Sequence, residues 1–144
     1  MKKCLKYIYD RFLSNFSDIF KSSLNFDNSH AFEEIDNAIS YFCEHYNEPI
    51  NIDDYAKENH FSTSWFIRNF KLYTGITPKQ YILKKRIYNA EALLQNTQYN
   101  INEIAQIIGY DNPLYFSRVF QKTKGISPSE YRKNISQRVF NSSL

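Results

Sequence analysis

Glycine and proline are scarce: three and four residues, respectively, in a chain of 144, where an average protein carries about 12% of the two together. That scarcity argues against a β-sandwich or barrel, which needs turn formers every 8–12 residues or so. Gly75, Gly109 and Gly125 are the only glycines, so no glycine-rich phosphate loop exists. Cys4 and Cys43, the only cysteines, lie far apart and form neither a CxxC pair nor a disulfide framework. They read as buried thiols in a reducing compartment. No run of 18 apolar residues is present, so no membrane span is expected. Lys6, Asp10 and Arg11 interrupt the apolar stretch that a signal peptide needs, and the cytoplasm is the expected location. His30, His45 and His60 fall fifteen residues apart with no His-x₃-His pair or Cys/His cluster, and no Ser-His-Asp or Cys-His order stands out. Neither metal, nor other cofactor, nor enzymatic activity is expected.

What is present favours helix. Apolar residues make up 42% of the chain, and 12 Phe, 12 Tyr and one Trp dominate them, enough for an aromatic core in a domain of this size. The formal charge of +3 conceals an asymmetry. Between Glu33 and Glu58 eight acids face a single base, Lys57, whereas from His60 onward twelve bases face four acids. Solvated helix faces account for many such runs, but a basic two-thirds also suits a polyanionic partner.

The chain contains a duplication. Trp65-Phe66-Ile67-Arg68-Asn69-Phe70-Lys71 recurs fifty residues on as Tyr115-Phe116-Ser117-Arg118-Val119-Phe120-Gln121, and Gly75-Ile76-Thr77-Pro78 recurs as Gly125-Ile126-Ser127-Pro128. Ile52 and Ala56 match Ile101 and Ala105 at forty-nine, which places one inserted residue near Asp111–Pro113. Two copies are too few for a solenoid and make a paired module. Each copy reads as two short helices meeting at a tight turn, followed by a capped third helix. In the second copy Asn100 and Glu103 start a helix, Gly109 ends it, Asn112 caps the next with Pro113 at its first position, and Gly125 stops that one. Phe116, Val119, Phe120 and Thr123 are its expected inner face. In the first copy Asn59 or His60 takes the turn, Ser62 caps, and Trp65, Phe66, Asn69, Phe70 and Tyr73 share a face. Thr77-Pro78-Lys79-Gln80 and Ser127-Pro128-Ser129-Glu130 are capping boxes. A helix is expected over about 31–48, closed by Pro49, and another from Pro78 to about Asn96. The latter would span about 28 Å at 1.5 Å per residue, close to the roughly 34 Å between successive major grooves on one face of DNA.

Helical phase then selects the outward residues. With the aromatics inward, Ser64, Ile67, Arg68 and Lys71 face away in the first copy. Leu114, Ser117, Arg118 and Gln121 do so in the second, with Pro113 at the tip. Arg reads guanine bidentately, Gln reads adenine, and Ser suits several bases. For the apolar Ile67 and Leu114 a thymine methyl and an ordinary exposed aliphatic are both open readings. Arg68 and Arg118 read as base contacts, phosphate clamps or partners of a nearby carboxylate. The capped starts at Thr77 and Ser127 are phosphate-contact candidates. Lys84, Lys85, Arg86, Lys122, Lys124, Arg132 and Lys133 are candidate electrostatic anchors.

Ile104-Ala105-Gln106-Ile107-Ile108-Gly109-Tyr110, then Tyr115-Phe116-Ser117-Arg118-Val119-Phe120, Gly125-Ile126-Ser127-Pro128 and Tyr131-Arg132, closely resemble the signature of AraC/XylS-type transcription regulators. Arg86, Ala90, Leu93 and Leu94 resemble the family's linker-helix pattern. The likeness covers roughly residues 31–134. It implies an all-α fold of about seven helices, with two helix-turn-helix subdomains joined by a long linker helix. It implies a regulator of transcription, most often an activator, that binds double-stranded DNA in two successive major-groove segments and contacts RNA polymerase. By position the family's groove-facing sites fall on Ser64, Ile67 and Arg68, and on Asn112, Pro113, Leu114, Ser117 and Arg118. Gln121, where the family often has Lys, and the Asn112-Pro113-Leu114 tip depart from its pattern.

The expected organisation is an N-terminal helical extension over 1–30, a first subdomain with the linker helix over 31–96, a second over 97–134 and a tail over 135–144. Leu5, Ile8, Phe12, Phe16, Ile19 and Phe20 are spaced for an amphipathic helix over about 3–24. That helix would pack on the module, form a dimer contact or be the severed end of a sensor domain, so monomer and dimer both stand. Only about 30 residues precede the module, and the chain reads either as a short stand-alone member or as a piece of a longer protein. The alternative function is a helical interaction module whose basic face binds an acidic partner.

Overall fold

The structure is a computed structural model that describes residues 28–142. The amphipathic helix expected over 3–24 lies outside the described residues. The described residues form seven helices and no strand: α1 (Asn28–His45), α2 (Ile52–Glu58), α3 (Thr63–Thr74), α4 (Pro78–Asn96), α5 (Ile101–Ile107), α6 (Pro113–Lys124) and α7 (Pro128–Ser142). Residues 28–36 are the opening turns of α1 and belong to a separate compact unit; the account that follows concerns residues 37–142.

Two differences from the expected boundaries have local causes. Helix α1 stops at His45 rather than near 48, because the Glu48 N–H turns back onto the His45 carbonyl at 2.9 Å and the chain leaves helical geometry before Pro49. Helix α7 runs past 134 to Ser142, so residues 135–142, expected as a tail, continue that helix.

Each helix-turn-helix unit closes over its own aromatic core. In the first, Phe42 of α1, Tyr55 of α2 and Phe66 and Phe70 of α3 are buried, with Phe42 5.2 Å from Tyr55 and 5.7 Å from Phe70 between ring centroids. In the second, Ile104, Ala105 and Ile108 meet Phe116 and Phe120, and Ile87, Ala90 and Leu94 of α4 complete that core. Burying each such Phe contributes about 1.5–3 kcal/mol. The duplication is visible ring by ring. Phe66 to Phe70 is 5.7 Å and Phe116 to Phe120 is 5.8 Å. Phe70 meets Tyr81 edge-on at 5.6 Å, and Phe120 meets Tyr131 edge-on at 5.5 Å. Pro78 and Pro128, at matching helix starts, are both fully buried. Long linker helix α4 carries 19 residues.

The turns differ in the means they use. His60 is the one non-glycine residue with positive φ among those described (φ 63°), and Gly109 takes the equivalent place at φ 87°. One part of the expected inner face of α6 is corrected: Thr123 is exposed, and its hydroxyl donates to the Val119 carbonyl at 2.8 Å.

Candidate nucleic-acid interface

Helices α3 and α6 are held at both ends by short-range chemistry. Ser62 Oγ accepts from the Trp65 N–H at 3.2 Å. Asn112 Oδ1 accepts from the N–H groups of Leu114 at 2.9 Å and Tyr115 at 3.1 Å, with Pro113 at the first position. Gly75 and Gly125 close the helices in the left-handed region, at φ 80° and 81°. Neither first turn contains an acid, whereas the first turns of α2 and α5 carry Asp53, Asp54 and Glu103. The positive end of the helix dipole therefore meets no first-turn acid at the two helices expected to meet DNA, and does at the helix that precedes each in the chain.

Burial of Phe66 and Phe70 turns Ser64, Arg68 and Lys71 outward, and all three are exposed; Ile67 is only half-exposed. In α6 burial of Phe116 and Phe120 leaves Arg118 and Gln121 exposed and Pro113 and Ser117 half-buried. Ser117 Oγ donates to the Pro113 carbonyl at 3.0 Å, which leaves the hydroxyl oxygen able to accept. Leu114 is 72% exposed, the most open large apolar side chain described. The two apolar candidates thus differ: Ile67 is partly packed and Leu114 is not. Arg68 and Arg118, fifty positions apart, form no ion pair with a described carboxylate.

The phosphate candidates separate into two groups. Lys84 and Lys122 are exposed and Lys85 half-exposed, none of them ion-paired with a described carboxylate. Thr77 heads a neutral capping box, its hydroxyl accepting from the Gln80 N–H at 3.3 Å and its own N–H donating to Gln80 Oε1 at 3.0 Å. Ser127 instead donates to a carboxylate, through its N–H at 2.9 Å and its hydroxyl at 2.8 Å to Glu130 Oε2. The Ser127 backbone N–H first, and its hydroxyl next, hold the Glu130 carboxyl below its ordinary value of 4.5. A phosphate approaching that helix start meets a negative charge already in place.

Three bases first read as anchors are engaged within the fold. Arg86 Nε donates to the Tyr46 carbonyl at 2.6 Å and Nη2 to the Glu48 carbonyl at 2.8 Å. Lys124 Nζ sits 2.6 Å from Glu91 Oε1, which also accepts from the Tyr131 hydroxyl at 2.9 Å. Arg132 Nε donates to the Leu94 carbonyl at 3.3 Å, and its Nη2 is buried. Their partners lie 33 to 40 residues away in sequence, where helical phase gives no signal. Tyr115, 57% exposed beside Leu114, is a surface residue that the phase reading passed over. Its repeat equivalent, Trp65, stacks on Phe61 at 4.6 Å, while Tyr115 has only a tilted contact with Tyr110 at 5.9 Å.

This architecture, paired helix-turn-helix units with acid-free helix starts and outward arginines at matching positions, is that of a helical DNA-binding module. A helix-turn-helix domain family matches residues 55–134, more than half of the chain. The regulatory protein SoxS of Escherichia coli (strain K12) is 35% identical over 101 residues, covering 70% of this chain and 94% of its own. The lactose operon transcription activator of Staphylococcus xylosus is 36% identical over 104 residues, covering 72% of this chain and 37% of its own. The chain spans little more than a third of the first curated relatives it matches. Among solved structures, the DNA-binding domain of the global transcriptional factor AdpA, in complex with a target DNA, aligns with a TM-score of 0.68 at 27% identity over 72% of this chain and 94% of that one. The chain belongs to the AraC/XylS family of DNA-binding transcription regulators.

Proposed function

We propose that the chain binds duplex DNA sequence-specifically, setting α3 and α6 into successive major-groove segments, and that it activates transcription through contact with RNA polymerase. The observation that carries the binding is the pair Arg68 and Arg118: same register, same outward face, both exposed and without an ion pair to a described carboxylate. Around Arg68 stand Ser64, Ile67 and Lys71. Around Arg118 stand Asn112, Pro113, Leu114, Ser117 and Gln121. Thr77, Lys84, Lys85 and Lys122 are the phosphate contacts of this reading. Activation is supported by the Staphylococcus xylosus relative, a lactose operon transcription activator, and by the family's usual role.

Selection of binding sites from random duplex tests the reading, followed by affinity measurements with Arg68→Ala and Arg118→Ala. An enriched sequence is expected, and loss of either arginine is expected to cost about 1–3 kcal/mol and relax preference at one position. Equal weakening on every sequence reassigns that arginine to phosphate. Failure to enrich any sequence sinks the specific-regulator reading and favours a module that binds an acidic partner.

A further inference from the structure

The loop between α1 and α2 is gripped from two directions. From α4, Arg86 bonds the carbonyls of both Tyr46 and Glu48, at 2.6 and 2.8 Å. From the second helix-turn-helix unit, the Gly109 backbone presses on Asn47: a side-chain carbon at Gly109 would fall on the Asn47 carbonyl oxygen and 2.6 Å from its carbon. The same Arg86 guanidinium lies over the Tyr110 ring, 5.1 Å from its centroid. Burial raises the Tyr110 pKa, and the nearby Arg86 charge opposes the rise. One guanidinium on the linker helix therefore joins the first subdomain's loop to the second subdomain's turn.

The consequence is geometric. A helix of 19 residues fixes the separation of what stands at its two ends. It fixes how the far unit is turned about the axis only as firmly as each unit's packing on it, Tyr81 against Phe70 and Ile87, Ala90 and Leu94 in the second core, resists rocking and rotation. A planar fork with two donors on two carbonyls and an aromatic face against it resists that rotation, and a single ammonium group lacks the geometry to replace it. We infer that Arg86 is a positioning residue: by bracketing residues 46–48 against Gly109 and Tyr110 it sets the rotational phase of α6 relative to α3, and so permits one spacing between the two DNA segments. This rests on the proposed DNA-binding function for its consequence, though not for the bracket itself.

Two measurements test it. The first takes the selected duplex and inserts or deletes one base pair between the two protected segments, which turns the far segment by about 34–36° and moves it about 3.4 Å. The wild-type chain is expected to lose about tenfold or more in affinity on either change. Arg86→Met retains the packed stem but bonds neither carbonyl, and its loss is expected to stay within about threefold. The second needs no DNA: residual dipolar couplings of the two helix-turn-helix units are expected to fit one alignment tensor in the wild-type chain and two in Arg86→Met. If Arg86→Met fails to melt cooperatively, Arg86→Lys, which keeps stem and charge, takes its place with the same expectation. A variant that weakens every spacing by the same factor, or that still fits one tensor, overturns the bracket. Absence of any selected duplex defeats the functional reading alone, and the couplings still decide the bracket.

Discussion

At the scale of single residues, two of the helix-ending glycines show that one sequence signal can conceal two different constraints. Gly109 and Gly125 both sit at positive φ, 87° and 81°. A side chain at Gly125 would meet nothing within 4 Å, so only the backbone conformation resists it. At Gly109 the conformational cost is joined by collision with the Asn47 backbone, and backbone atoms do not swing aside as the end of a long side chain does. Gly125→Ala is expected to destabilise by about 1–2 kcal/mol. Gly109→Ala is expected to cost about 3–5 kcal/mol, left-handed strain and overpacking combined. Urea denaturation of the two variants checks this, and equal losses would show that Asn47 yields freely. The turn role of Gly109 was legible from its place after an apolar stripe; the close approach of Asn47 was not, since it joins residues 62 positions apart.

At the scale of elements, much was legible because caps and stops act locally. Asn100 with Glu103, Asn112 with Leu114, and Thr77 with Gln80 each bond within three residues, so the sequence carries the whole motif. The tie of Lys124 to Glu91 and the two carbonyls on Arg86 join separate helices, and no local pattern encodes them. The two capping boxes, alike in spacing, differ in charge, and that difference has a sign. Glu130 is held below its ordinary pKa, so in an acid window the unfolded chain binds the proton and the folded chain does not. Its contribution is therefore complete above 4.5 and is lost as pH falls through the lower folded value. The Thr77–Gln80 box contains no titrating group. Thermal melts of wild type and Glu130→Gln are expected to differ most near neutral pH and to converge in acid, whereas the difference between wild type and Gln80→Ala should not change with Glu130's titration. A Glu130→Gln difference that persists undiminished at the lowest pH would remove the charge from the explanation.

At the scale of the molecule, the charge asymmetry becomes specific once the bases already partnered within the chain are set apart. Of the twelve bases from His60 onward, Arg86 and Arg132 bond carbonyls of the fold, Lys124 is exposed but paired to Glu91, and Arg138 lies outside the described side chains. Eight remain at the surface: Arg68, Lys71, Lys79, Lys84, Lys85, Arg118, Lys122 and Lys133. Each that neutralises a phosphate releases counterions and steepens the fall of log affinity with log salt by about 0.9 on duplex DNA. Eight contacts would set a limiting slope of about −7, and the acid-rich stretch from Glu33 to Glu58 adds nothing to it. The observed slope is expected to be shallower than that limit, since eight dispersed bases do not all reach one duplex. Lys84→Gln and Lys122→Gln are each expected to flatten it by about 0.9 and to weaken binding alike across sequences. Lys124→Gln is the informative comparison, because it removes the same formal charge from the same helix as Lys122. Its ammonium is held by Glu91 at 2.6 Å, so its loss should lower the melting temperature and leave the slope where it was. Titrations of the selected duplex at four or five salt concentrations decide the matter: if Lys124→Gln flattens the slope as much as Lys122→Gln does, net charge governs the interaction and the placement of the bases does not.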